Sequence, residues 1–190
     1  MKLTDKLGIQ PELREALTTL GSVGIPFATP VNAVASTSTL KVTTLPTAGE
    51  TITIGNVTYT FVANGTTPLA EGDIELEANV GDTRPNIVLA INGTDGHNVL
   101  NPLATAGAFA GADSTLTATI AGVSGDDIVV DTDMDGADNE ISAFTGGVNG
   151  TPGVQGAVCL DASRIYVCID NNTIADANWR RISADFVALA

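Results

Sequence analysis

The chain has 190 residues, and 8 basic against 22 acidic side chains give a net charge of −14 at neutral pH; that balance argues against phosphate-dominated contacts, so neither nucleic acid nor a membrane surface is expected as a partner. Apolar residues reach 44% but aromatic ones only 4%, with 20 glycines, so the core has to be built from Val, Ile, Leu and Ala in many short strands and turns. Two cysteines, Cys159 and Cys168, and one histidine, His97, are too few for a disulfide framework or for most metal and triad chemistry.

Charge divides the chain. Residues 1–41 sum to +1, residues 42–163 set Arg84 alone against sixteen acids for −15, and residues 164–190 are neutral. An acidic, well-solvated middle between near-neutral ends suggests termini with a different task, of which attachment to a partner is the simplest. Lys2, Asp5, Lys6, Glu12, Arg14 and Glu15 interrupt the first twenty residues, so no signal-peptide core is expected there. No apolar run approaches the ~18 residues of a bilayer span. The expectation is a soluble product of a cytoplasm, with reduced thiols.

In chain order, Gln10 to Gly21 reads as a short helix, with Pro11 at its first position, Glu12 at the positive end of the dipole and Gly21 at its stop. Leu13, Ala16, Leu17 and Leu20 fall on one face. A helix this short is marginal alone and should dock on something. Ser22 to Ser38, with Pro26 and Pro30, reads as an extended arm lying along a surface. Period-two alternation then begins at Leu40 and Val42 and continues through Thr51 to Ile54 and Val57 to Phe61, joined at Gly55-Asn56 as a tight hairpin. Ile74 to Val80 forms an amphipathic strand with an acidic outer face. Thr83 to Asn92 reads as one short helix capped by Thr83, with Pro85 in its first turn and Gly93 at its end. Leu116 to Ile120, Ile128 to Val130 and Ile141 to Phe144 are further strands, and Gly146 to Gly156 is the strongest linker signal. Beyond it, Ala157 to Leu160 and Ile165 to Ile169 form a hairpin turning at Asp161 to Ser163, which a strand around Trp179 to Ile182 completes.

The expected fold is therefore mainly β (α+β): a β-sandwich-like antiparallel domain with one short helix, an N-terminal helical arm and a C-terminal β-hairpin module. The boundaries are 1–38 for the arm, 39–147 for the main domain and 148–190 for the module. About forty residues bury little, so the module should lean on the main domain or on copies of itself, anchored by Trp179 and Tyr166.

Several segments together carry a resemblance. They are Ala48-Gly49-Glu50-Thr51-Ile52-Thr53-Ile54-Gly55-Asn56-Val57-Thr58-Tyr59-Thr60-Phe61-Val62, the helix end Ala90-Ile91-Asn92, then Leu116 to Ile120, Ser124 to Ile128 and Thr145-Gly146-Gly147. This pattern resembles a β-domain of tailed-bacteriophage virion proteins. The end, Asp161 to Cys168 followed by Asn178-Trp179-Arg180-Arg181, is similar to the terminal hairpin of phage head-fibre, capsid-decoration and tail-fibre proteins. The resemblance spans roughly residues 45 to 185 and implies a non-enzymatic structural protein, often a homotrimer on the capsid exterior.

Other constellations point to chemistry more weakly. Asp131, Asp133 and Asp135, followed by Gly136, place carboxylates at alternate positions as calcium requires. The twelfth position of that loop is Ser142 where an EF-hand would have Glu, and the flanks read as strands, so an acidic solvated loop competes with a calcium site. Cys159, Cys168 and His97 match no zinc spacing, and the Asp95-Gly96-His97-Asn98 loop lacks a nucleophile elbow. No cofactor is required. Trp179 with Arg180 and Arg181 suits either a packed core or a cation–aromatic contact to a glycan or a neighbouring subunit.

The function expected is that of a bacteriophage capsid decoration, or cement, protein located in the virion. It would bind the outer surface of the major capsid protein shell through the arm (Leu13, Leu17, Leu20, Pro26, Pro30) and adjacent loops. The alternatives are a head or tail fibre subunit, or a calcium-dependent or carbohydrate-binding adhesin module.

Overall fold

A computed structural model describes residues 30–136, 138–160, 165–171 and 178–182. The expected N-terminal helix with Leu13, Leu17 and Leu20, the first part of the expected arm with Pro26, and the turn at Asp161 to Ser163 lie outside the described residues. The chain divides into two compact units, residues 33–149 and residues 1–32 with 150–190. The protein is mainly β, and the described residues contain a single α-helix.

In the larger unit, one sheet has the order β5-β6-β1-β8, all antiparallel: β1 Ala35–Lys41, β5 Ala104–Ala106, β6 Asp113–Ala121 and β8 Glu140–Ile141. The central strand β1 starts inside the segment that the sequence suggests is an arm. Its buried face runs Ser36, Ser38, Leu40, so two of the three inward residues are serine and do not register as apolar. Those serines have partners: Ser36 Oγ donates to Asp126 Oδ1 at 2.6 Å and Ser38 Oγ to the Ser142 carbonyl at 2.5 Å. The expected strand Ile141 to Phe144 is likewise shifted. After β8 the chain touches β1 irregularly, with Thr145 bridging Thr37 and Val148 bridging Val34, while Phe144 drops into the core. The apparent linker thus opens with residues belonging to the body. Strand β5 is too short and alanine-rich to announce itself, yet Ala104 and Ala106 are buried.

The second sheet has the order β4-β3-β2-β7: β2 Thr51–Ile54, β3 Val57–Val62, β4 Asp73–Glu75 and β7 Val130–Thr132. Here β2 and β3 form the expected hairpin, with Ile54 opposite Val57. Only the first loop residue, Gly55, has a positive φ, +64°, as in a type II′ turn whose twist suits a hairpin. Strand β4 runs parallel to β3 and ends at Glu75, well short of the expected Val80. Strand β7 begins two residues later than expected because Ile128 closes the 3-10 turn Val123–Asp127.

The strand from Ile74 is cut short because a helix start competes for the same residues. Helix α1, Val80–Ile91, is capped by Asn79, whose side chain accepts the Asp82 amide at 3.0 Å while Asp82 Oδ2 accepts from Asn79 Nδ2 at 2.6 Å. Thr83, the expected cap, is instead fully buried inside the helix; its hydroxyl donates to the Asn79 carbonyl and accepts the Glu77 amide. Pro85 consequently sits inside the helix. Thr83, Ile87, Ala90 and Ile91 face inward at helical spacing. They join Leu40, Ile52, Ile54, Tyr59, Phe61, Ile74, Leu116 and Phe144 in one core fed by both sheets.

In the other unit, a three-stranded antiparallel sheet has β10 Ile165–Cys168 between β9 Val158–Leu160 and β11 Trp179–Ile182, as the hairpin pattern suggests. Tyr166 lies opposite Cys159, and Cys168 opposite Trp179, so these four share one face.

Gly147, at the start of the apparent linker, is packed against the body. A Cβ there would overlap the Gly122 carbonyl and Ser36 Oγ. Gly147→Ala is therefore expected to cost about 1–3 kcal/mol, read as a lower melting temperature, where a glycine in a free linker would tolerate the change.

Candidate functional site

Three places on the described surface gather polar chemistry or exposed apolar groups. The first is the acidic loop between β7 and β8. Asp131 lies on β7 opposite Thr53 and is exposed. The Asp133 carboxylate accepts both the amide and the hydroxyl of Thr51, at 2.5 and 3.0 Å. The Asp135 amide donates to Glu50 Oε1 at 2.7 Å, and Glu50 Oε2 accepts the Thr47 amide at 2.8 Å. Asn139 then closes the loop. Its Oδ1 accepts the amides of Thr43 and Thr44, and its Nδ2 donates to the Asp135 carbonyl and to Thr44. Asp131, Asp133 and Asp135 are thus not brought into one ligand shell, and among the described residues no three His, Cys, Asp or Glu side chains converge on a metal position.

The second place surrounds His97. Its Nε2 lies 3.1 Å from the Asp73 carbonyl and 3.4 Å from Asp95 Oδ2. In the tautomer that carries its proton on Nε2, the ring donates toward these oxygens. Asn98, buried beside it, accepts the Gly72 amide and donates to both the Asp73 carbonyl and Asp95. Burial pushes the Asp95 carboxyl up, but hydrogen bonds from the Asn98 side chain, the Asn98 amide and the His97 amide outweigh it and hold the group below its ordinary value of 3.8. These contacts tie the turn before β4 to the loop after α1. A cleft of about 320 Å³ beside them is lined by Glu75, Glu77, Asn86, Leu89, Asp95 and His97. Tyr59, also nearby, has its phenol held above the ordinary value by burial, with the Asn101 hydrogen bond opposing.

Arg84, the lone base of the acidic middle, is spent internally: Nε and Nη2 both donate to the Val42 carbonyl, at 3.0 and 2.6 Å. Its guanidinium lies 5.8 Å from the Phe109 ring centre, within cation–π range. A cleft of about 410 Å³ beside it is lined mainly by Pro85, Val88, Leu89 and Phe109.

The third place is the tip of the β2–β3 hairpin. Clefts of about 520 and 280 Å³ meet at Asn56. Val129, Val99 and Leu100 on their walls are 69%, 63% and 51% exposed, an apolar concentration with only Asp127 and Glu71 among the lining acids. Sequence reading missed this surface, because Val99 and Leu100 follow a polar loop and Val129 sits inside an expected strand.

Of the expected attachment residues, only Pro30 is described. It is half-buried and precedes Val31, whose amide donates to Thr151 Oγ1 while its carbonyl accepts the Thr151 amide, both at 3.0 Å. In the same unit Tyr166 is buried, and the indole N–H of Trp179 donates to the Thr151 carbonyl at 2.8 Å. No described helix is long and apolar enough to cross a membrane.

Two predictions follow from the loop contacts. Asn139→Ala removes the partner of the Thr43 and Thr44 amides and of the Asp135 carbonyl, each hydrogen bond being worth ~0.5–1.5 kcal/mol net, so thermal unfolding should move down. Asp126 is also held below 3.8, by the Ser36 hydroxyl and then by the Gly147 amide. A carboxyl depressed in the folded state adds stability that is complete above its unfolded value and lost as pH falls through the folded one. The stability gap between wild type and Asp126→Asn, measured by urea unfolding, should therefore be open at neutral pH and narrow as pH drops below the carboxylate range. No family model, curated protein or solved structure matches this chain.

Proposed function

We propose that this chain is a bacteriophage capsid decoration protein: a homotrimeric cement subunit that binds the outer surface of the major capsid protein shell and stabilises it without making or breaking a bond. The observation that carries the reading is the segregation of charge. Sixteen acids against Arg84 fall between residues 42 and 163, with near-neutral segments on either side. A strongly negative body stays solvated and repels stray contacts at high local density, while near-neutral ends remain available for adhesion. The resemblance of residues 45 to 185 to phage virion domains supports the same reading.

Adhesion of this kind needs little affinity per copy, because many sites on one particle act together. In this reading the arm, with Leu13, Leu17, Leu20, Pro26 and Pro30, buries its apolar stripe on the shell. The exposed Val99, Leu100 and Val129 are a second apolar surface suited to a neighbouring subunit, since charge is depleted and apolar groups enriched in interface centres.

Removing residues 1–29, which leaves β1 whole, should abolish occupancy on purified particles while near-ultraviolet circular dichroism stays native; undiminished occupancy would overturn attachment through the arm. Val129→Asp, at an exposed position, should leave the fold intact and lower occupancy or trimer content, read by sedimentation.

A further inference from the structure

The chain contains three Asn-Gly pairs, Asn64-Gly65, Asn92-Gly93 and Asn149-Gly150. In such a pair the glycine nitrogen can attack the asparagine side-chain carbon with no Cβ in the way. The surroundings of the three differ. Both polar atoms of the Asn92 side chain are bonded to the Ala106 backbone at 2.9 Å, at the C-cap of α1. Asn149 Oδ1 accepts the Val123 amide at 3.0 Å. Asn64 is exposed at the first central position of a turn closed by the Thr66 amide on the Ala63 carbonyl at 3.1 Å. Its Nδ2 donates to Glu77 Oε2 at 3.1 Å, and the Gly65 amide donates directly to a carboxylate, Glu75 Oε1, at 2.7 Å.

We propose that Asn64-Gly65 is a self-modification site in which Glu75 is the general base for conversion of Asn64 to aspartate and isoaspartate. The Gly65 nitrogen attacks Asn64 Cγ and passes its proton to Glu75, so that a N–Cγ bond forms. The Cγ–Nδ2 bond breaks, and ammonia departs with the proton returned by Glu75. Solvent water then opens the five-membered imide at either carbonyl. The net change is one water consumed and one ammonia released. Glu75 is held on the attacking nitrogen by β4, whose pairing with β3 fixes Glu75 opposite Val62, close to the turn in both sequence and space. The reaction is self-limiting in structure: the new carboxylate faces Glu77, the group that held the amide, so the contact between the turn and the segment after β4 turns from attractive to repulsive. Each copy gains a negative charge as it ages.

The test is prolonged incubation of the purified full chain at neutral pH, with peptide mapping by mass spectrometry. Asn64 should convert first, with Asn92 and Asn149 intact while the fold persists. Glu75→Gln keeps an acceptor for the Gly65 amide but no base, and should slow conversion about a hundredfold, the scale of a placed general base. Asp131→Asn, which removes a carboxylate at an exposed position on β7 outside this turn, should react at the wild-type rate. Conversion at Asn64 no faster than at the other two pairs, a wild-type rate in Glu75→Gln, or equal slowing in both variants would overturn the assignment. The wild-type pH profile decides independently of folding in the variants. A rate that is level near neutrality and falls only as carboxylates protonate supports Glu75, whereas a rate proportional to hydroxide throughout overturns it.

Discussion

Buried side-chain amides and hydroxyls standing in for backbone partners hold this protein together. The described strands run from two to nine residues, so ladders satisfy only part of the main chain, and every buried N–H or C=O outside them needs another partner. Asn101, fully buried, shows how this is met: its Oδ1 accepts the amides of Leu103 and Ala104, while its Nδ2 reaches the Ile54 carbonyl and the Tyr59 hydroxyl. Asn92 does the same for Ala106, Asn98 for Gly72 and Asp73, and Asn139 for Thr43 and Thr44. Among the described residues no buried side-chain polar atom lacks a partner. Each of these amides ties a loop to another part of the chain, which is how a core of aliphatic residues around Tyr59, Phe61 and Phe144 acquires one arrangement.

The same device explains how so acidic a body folds. Like charges crowded on a small domain oppose compaction, and Arg84, the one base within residues 42–163, is turned onto the Val42 carbonyl. Several carboxylates are instead held by neutral donors: Asp133 by Thr51, Asp95 by Asn98, Asp126 by Ser36 and Gly147, Glu50 by Thr47 and the Asp135 amide. Carboxylates bonded in this way contribute hydrogen bonds to the fold, and those of Asp95 and Asp126 are held below their ordinary value by them. A surface of that character suits a crowded particle exterior, and its apolar relief at Val99, Leu100 and Val129 stands out against it.

Local chemistry was legible wherever it was self-contained. The Gly55-Asn56 hairpin, the three strands of the smaller unit, the helix end before Gly93 and the alternation in β2, β3 and at Leu116 and Ala118 of β6 follow from turn residues and period-two patterns, whereas Ile120, expected on the same face, is 58% exposed. Ser36 and Ser38 concealed the start of β1 because a buried serine reads as polar until its acceptor, Asp126 or Ser142, is in place. Asn79 took the helix start from Thr83, since both residues can cap and only the packing of Thr83 against the core separates them. The alternate carboxylates of Asp131, Asp133 and Asp135 looked like a ligand set along the sequence, and the fold gives Asp133 to Thr51 instead.

What the sequence determined by itself was composition-bound: a β-rich chain with an acidic middle; that Tyr59, Phe61 and Phe144 would be the largest side chains of the core was not among what composition showed. What only the tertiary structure decided was the use of each polar side chain, because an asparagine or a serine has the same local preferences whether it caps a helix, staples a loop or faces water. Its role is set by which orphaned backbone group lies within about 3 Å, and for Asn98, Asn101 and Asn139 those groups include ones tens of positions away, at Gly72, Ile54 and Thr43.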